Sequence, residues 1–216
     1  QGIVKVFRMK KDTYVWHTIH EQNMRHRLTE ALCGYHEKYP YRYGMKKAEI
    51  HMTYMKKVKL NVFDLYVEML SEEGTLKRHQ EFLQLPEFEV RKDAVYEKVL
   101  KTVQKQFEKV QFDFQRFSEI SFGNIKREEV EDIMLLLIDE DIVVKITEDI
   151  YTLKSIIEKA KEVIQNRLKE NPLITIAEVR DLLGTSRKSA KPILEYMDSI
   201  KVTKKNGTES ERVAYV

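Results

Sequence analysis

With 216 residues, 34% of them charged and 42% hydrophobic, the chain is long enough for one large or several small domains and has the composition of a soluble globular protein with a helical bias. A formal net charge of +3 is modest, so any electrostatic recognition has to be local. The single cysteine, Cys33, excludes an intramolecular disulfide and fits a reducing cytoplasm, and no apolar run reaches membrane-spanning length. Gln1-Gly-Ile-Val is no signal peptide, and without an initiator Met the chain reads as a fragment or processed piece of something larger.

In chain order, a punctuation recurs. Gly2 to Val15 reads as two strands around a polar turn that run into a helix, and Asp141 to Tyr151 repeats the pattern. Thr75 to Arg78 with Glu81 to Leu85, and the terminal hairpin, make two further copies. The second strands centre near Tyr14, Leu83, Tyr151 and Tyr215, a period of roughly 65 residues that suits an array of small units.

The first full repeat has a helix from Met24 to Tyr39, stopped by Pro40, then helices over Lys46–Tyr54 and Asn61–Leu70, with Asn61 as cap. The next begins at Asp93, where Val95, Val99, Val103 and Phe107 keep helical spacing. A short helix at Phe117 and a third over Arg127–Leu137 follow, the latter turning Val130, Ile133, Met134 and Leu137 inward. The last repeat opens with the stripe Leu153, Ile156, Ile157, Ala160, Val163, Ile164 and Leu168, ended by Asn171-Pro172. The fold class expected is mostly α with small β-hairpins (α+β), as tandem winged-helix repeats. The expected division is 1–23 (the wing of a truncated winged helix), 24–90, 91–154 and 155–216.

The most informative stretch is Thr175 to Asp198. Thr175 and Glu178 form a capping box, Ile176, Val179, Leu182 and Leu183 recur at helical spacing, and Gly184 terminates the helix. Thr185 or Ser186 then caps a second helix with the stripe Ala190, Ile193, Leu194 and Met197, and Pro192 shortens or kinks it. Lys188, Lys191 and Glu195 point outward, with Arg187 on the flank. Ile200 to Lys205, Asn206-Gly207 and Arg212 to Tyr215 make a hairpin. Capping box, stripes and hairpin lead one to expect Asn171–Val216 to close a core unaided. Helix-turn-helix plus hairpin is a winged helix, in which the second helix and the wing meet nucleic acid in many proteins and merely pack in others.

The run Val179 to Asp198, with Val202-Thr-Lys-Lys and Gly207 to Arg212, resembles the last domain of bacterial SelB, the selenocysteine-specific translation elongation factors. The resemblance is specific over about the last 45 residues and rests on repeat pattern upstream. It implies a C-terminal array of winged helices whose last member binds the mRNA hairpin that recodes UGA, with ribosome and tRNA as partners through the full-length factor. The GTPase would lie upstream of Gln1. The candidate RNA-binding residues are Arg180, Thr185, Ser186, Arg187, Lys188, Lys191, Lys204, Lys205 and Arg212.

The third helices differ in charge. The first carries Asp64 and Glu68 and no cation, the second Glu128, Glu129, Glu131 and Asp132 against Arg127, and only the last Arg187, Lys188 and Lys191. Acidic helices repel phosphate, so binding is expected at the last. Residues 1–60 also hold a basic run that includes Lys5, Lys10, Lys11, Arg25, Lys46, Lys47, Lys56, Lys57 and Lys59, against few acids such as Asp12. It reads as a solvated face or as a second nucleic-acid surface.

No Walker loop, G-x-S-x-G elbow or H-E-x-x-H occurs, so no catalytic residue, cofactor or metal is expected. His17, His20, His26, Cys33 and His36 match no usual ligand spacing. Trp16, Tyr41 and Tyr43 read as packing aromatics before base-stacking ones. The chain is expected to be monomeric, non-enzymatic and away from membranes. Two other classes fit the pattern: a DNA-binding transcription regulator, which would normally dimerise, and a protein-interaction scaffold.

Overall fold

A computed structural model describes residues 3–8 and 13–215. The chain divides into two compact units, Gln1–Lys92 and Asp93–Val216.

In the first unit, β1 (Val4–Arg8) and β2 (Thr13–His17) pair antiparallel with Val6 opposite Val15. Side chains alternate across such a ribbon, so Phe7 is buried while Val4, Val6 and Val15 stay exposed. The turn residues Lys10, Lys11 and Asp12 lie outside the described residues. Strand β2 runs directly into α1 (Thr18–Lys38), which starts at Thr18 rather than Met24 because His17 caps it by accepting from the Ile19 amide. The boundary expected between residues 23 and 24 therefore falls inside a helix.

Helices α2 (Lys47–Tyr54) and α3 (Leu60–Glu72) follow. Strands β3 (Met45–Lys46), β4 (Lys77–His79) and β5 (Phe82–Gln84) pair in the order β3-β5-β4. Three helices and a three-stranded sheet make this a winged helix around Leu28, Leu32, Ile50, Phe63, Tyr66, Leu70 and Leu83. Gly44 has to be glycine: a Cβ there would sit 2.1 Å from the Leu83 carbonyl oxygen. Asn61 does not cap α3; Lys59 holds that place without a side-chain bond, and Asn61 accepts from its neighbour Val62.

The aromatics pack. Trp16 lies 4.9 Å from the Tyr66 ring, Tyr41 is buried, and Tyr43 stacks on His79 at 3.7 Å. Glu21 is buried as well, but it accepts from Arg25 at 2.9 Å and from the Tyr66 hydroxyl at 3.3 Å. A buried carboxylate needs such partners.

In the second unit, α4 (Ala94–Val110) is capped by Asp93, which accepts from the amides of Val95 and Tyr96. A single 3-10 turn (Phe117–Glu119) stands where a short helix was expected, followed by α5 (Arg127–Asp139) and the hairpin β6 (Val143–Lys145) and β7 (Tyr151–Leu153). Then come α6 (Lys154–Glu170), β8 (Leu173–Thr175), α7 (Ile176–Leu183), α8 (Arg187–Ser199), β9 (Thr203–Asn206) and β10 (Thr208–Ala214). The last sheet has the order β8-β10-β9, so a third strand joins the anticipated hairpin.

Its core contradicts one expectation. Ile157, Ala160, Ile164 and Leu168 of α6 share one cluster with Ile174, Val179, Ile193, Leu194 and Met197, and Phe114 and Val144 from the preceding repeat enter it too. Asn171–Val216 is therefore not a closed core; without α6 its apolar stripes would face water.

Candidate nucleic-acid interface

The turn between α7 and α8 is built by capping at both ends. The Thr175 hydroxyl accepts from the Glu178 amide and the Glu178 carboxylate from the Thr175 amide, which starts α7. Burial pushes the Glu178 carboxyl up, but its bonds from Thr175 and Arg167 outweigh that and hold it below the usual range. Gly184 ends α7 with φ of +60°, the left-handed region glycine enters freely. Leu182, expected in the apolar stripe, is largely exposed. Helix α8 runs through Pro192 and buries Ala190, Ile193, Leu194 and Met197, which leaves its first turn facing solvent.

The predicted residues separate into three kinds. Arg187 and Lys188 are exposed and, among the described residues, have no hydrogen-bond or ion-pair partner. Lys191, Arg180 and Lys205 are exposed or half-exposed but paired: Lys191 with Glu195 at 3.7 Å, Arg180 with Asp181 at 2.6 Å, and Lys205 with Glu209 at 2.6 Å. Lys204 is exposed over the Tyr215 ring at 5.9 Å, on the opposite face of β9 from Lys205. The third kind points into the protein.

Arg212 is only 1% exposed. Its Nε donates to Asp198 Oδ2 at 2.7 Å, and one terminal nitrogen donates to the carbonyls of Glu209 and Glu211. Asp198 also accepts from Thr203, so Arg212 fastens the end of α8 to the wing instead of lying on the wing surface. Thr185 and Ser186 are engaged as well. Thr185 donates to the Phe112 carbonyl at 2.6 Å and Ser186 to Asp113 at 2.9 Å, and Ser186 makes no side-chain cap bond to its own helix. Asp113 was missed from sequence because its partners Ser186 and Ser189 lie 73 and 76 residues away. The one local sign was a lone acid between Phe112 and Phe114 after a helix end.

The other third helices are neutralised or acidic. Asp64 of α3 pairs with Lys47 at 2.9 Å, and Arg127 of α5 pairs with Glu131 at 3.0 Å and lies 4.3 Å over the Phe117 ring. Much of the basic run in residues 1–60 is likewise engaged. Lys5 and Arg25 meet Glu73, Lys46 meets Glu81, and Lys59 lies over Tyr14. Lys56 and Lys57 in the α2–α3 turn are exposed without a partner among the described residues. Among the described residues no three His, Cys, Asp or Glu side chains form a metal-holding group. No helix of the described residues is long and apolar enough to cross a membrane.

Two family models match: residues 166–210 fit "Elongation factor SelB, winged helix" as the third winged helix of that family's models, and residues 29–85 fit the second. The selenocysteine-specific elongation factor of Desulfomicrobium baculatum is 24% identical over 185 residues, covering 84% of this chain and 29% of that protein. Among solved structures, a bacterial selenocysteine-specific elongation factor aligns over 97% of this chain and 32% of that chain, with a TM-score of 0.50 and 18% identity. The mRNA-binding domain of SelB from E. coli, solved in complex with SECIS RNA, aligns over 58% of this chain and 100% of that chain, with a TM-score of 0.49 and 19% identity. The chain thus spans under a third of the length of the curated relative and of the whole-factor structure. SelB winged-helix models thus match residues 29–85, in the first full winged helix, and residues 166–210, in the last.

Proposed function

We propose that the array grips an mRNA hairpin through its last winged helix and so tethers an upstream GTPase and its selenocysteyl-tRNA to the ribosome, in the cytoplasm. The observation that carries this reading is the pair Arg187 and Lys188, exposed and unpaired among the described residues at the start of α8, while the corresponding helices are acidic or neutralised. The proposed division of labour gives residues 155–216 the RNA, and leaves 24–90, 91–154 and the hairpin in 1–23 as non-catalytic spacers and docking surfaces.

The chemistry follows from RNA shape. An A-form major groove is too deep and narrow for a helix to read, so recognition rests on phosphates and on unpaired bases. Arg187 and Lys188 hold the backbone at the turn, Lys191 and Arg180 flank it, and Lys204 and Lys205 extend the contact along the wing. Thr185 and Ser186 shape the turn through bonds to Phe112 and Asp113, and Arg212 shapes the wing from inside.

The test is a titration of a small RNA hairpin carrying a bulge and a loop against duplex DNA of equal length. The hairpin should bind tighter. With about 3–5 phosphates neutralised, log affinity against log salt should fall with a slope of about −2 to −5. Preference for the duplex would favour a DNA regulator, and no binding at low salt would favour a protein scaffold.

A further inference from the structure

We propose that Asp113, which belongs to the preceding repeat, is a positioning residue for RNA binding, so that the gripping unit includes Phe112–Phe114. This rests on the RNA-binding reading above. Helix α4 ends at Val110, its cap residue Gln111 redirects the chain with a φ of +50°, and the next three residues run along the turn that carries Arg187 and Lys188. Thr185 donates to the Phe112 carbonyl at 2.6 Å, Ser186 donates to Asp113 at 2.9 Å, and the Phe114 amide donates to Ser189 at 3.0 Å. Ser189 is buried, and Phe114 and Phe112 pack in the core beneath. The strap is thus apolar below and hydrogen-bonded above, and its one charged group faces the turn.

Charge alone argues that Asp113 should not be there. A carboxylate beside two unpaired cations lowers the local potential and opposes a phosphate. What it supplies is geometry: Ser186 stands at the N-cap of α8 without a cap bond of its own, and Asp113 accepts from it at 2.9 Å and from the neighbouring Ser189 hydroxyl at 3.4 Å. Arg187 and Lys188 are the next two residues. Long side chains bind a backbone well only when their Cα positions are fixed before the ligand arrives.

Positioning and charge predict opposite signs. Asp113→Asn keeps the carbonyl oxygen that accepts from Ser186 and removes the charge; Asp113→Ala removes both. In hairpin titrations of the full chain at fixed salt, the alanine variant should bind about 3–10-fold more weakly, as befits one lost hydrogen bond. The asparagine variant should bind at least as tightly as the original. Ser186→Ala should show a similar loss, and combining it with Asp113→Ala should add little, because both remove the Ser186–Asp113 bond. Amide exchange at Ser189 and Ala190, which donate to the Ser186 carbonyl, should accelerate in Asp113→Ala and not in Asp113→Asn. If Asp113→Ala binds as tightly as the original chain or tighter, the positioning role is wrong. If the original chain itself does not bind the hairpin, it is the RNA reading that fails.

Discussion

Helix α3 of the first winged helix and α8 of the last are each 13 residues long, and each buries one apolar stripe. One stripe is Val62, Phe63, Tyr66, Val67 and Leu70; the other is Ala190, Ile193, Leu194 and Met197. Their outer faces are opposites. Helix α3 offers Asp64 and Glu68, whereas α8 begins with Arg187 and Lys188. Burial of the stripe holds each helix in place, at about 25 cal/mol per Å² of apolar surface, and is indifferent to what lies outside. The repeated fold therefore resides in the inward positions, and the proposed difference in function rests on a few outward ones.

The largest effect follows from the inward half of that contrast. Residues 171–216 expressed alone, without α6, should be unfolded by circular dichroism and show no cooperative melt, while 93–216 should fold. The excised stripe Ile157, Ala160, Ile164 and Leu168 is most of one wall of the core. A cooperative transition in 171–216 would show that the last repeat is closed after all.

Next in size is Arg212, which sequence assigned to the outer surface and the structure assigns to the inner. Arg212→Ala should lower stability by about 2–3 kcal/mol in urea unfolding, somewhat less than for a fully buried pair because Asp198 is partly exposed. Hairpin affinity measured well below the unfolding midpoint should change little. The reverse result, normal stability and lost affinity, would return Arg212 to the RNA surface.

A smaller effect attaches to the capping box. The folded-state pKa of Glu178 is lowered from an ordinary value of 4.5, so its stabilisation is present above that value and is lost as pH falls through the folded value. Glu178→Gln should cost about 1 kcal/mol at neutral pH, and the difference from the original chain should shrink on acidification. A cost that stays constant with pH would mean that the carboxylate charge contributes nothing.

The inward half of the comparison was legible in the sequence because periodicity is a local signal. The stripes of α4, α5, α6 and α8 and the Thr175–Glu178 box all lie within a few residues of their partners and appear in the structure, except that α4 buries Tyr96 in place of Val95 and Leu153 belongs to β7. What escaped notice was short or distant. Strand β8 is three residues squeezed between Pro172 and a helix cap, too few to show alternation. The early start of α1 depends on a histidine cap, an uncommon choice beside Ser, Thr, Asp or Asn. Arg212 looks like any wing cation until Asp198, 14 residues earlier, is seen to be its partner. Thr185 and Ser186 looked like free hydroxyls because their acceptors belong to another repeat.

The central claim is that binding follows the placement of two cations and not the amount of charge. Arg187→Ala with Lys188→Ala, and Lys56→Ala with Lys57→Ala, remove the same formal charge from exposed positions, so both variants should remain folded. Titrated with the bulged hairpin across a salt series, the first pair should lose about 2–4 kcal/mol of binding, since a hydrogen bond to a charged group is worth ~1.5–3 kcal/mol and the pair will not be additive. The second should lose less than about 1 kcal/mol, and less still as salt rises. Equal losses would mean that binding tracks overall charge, and a larger loss at Lys56 and Lys57 would move the RNA site to the first winged helix.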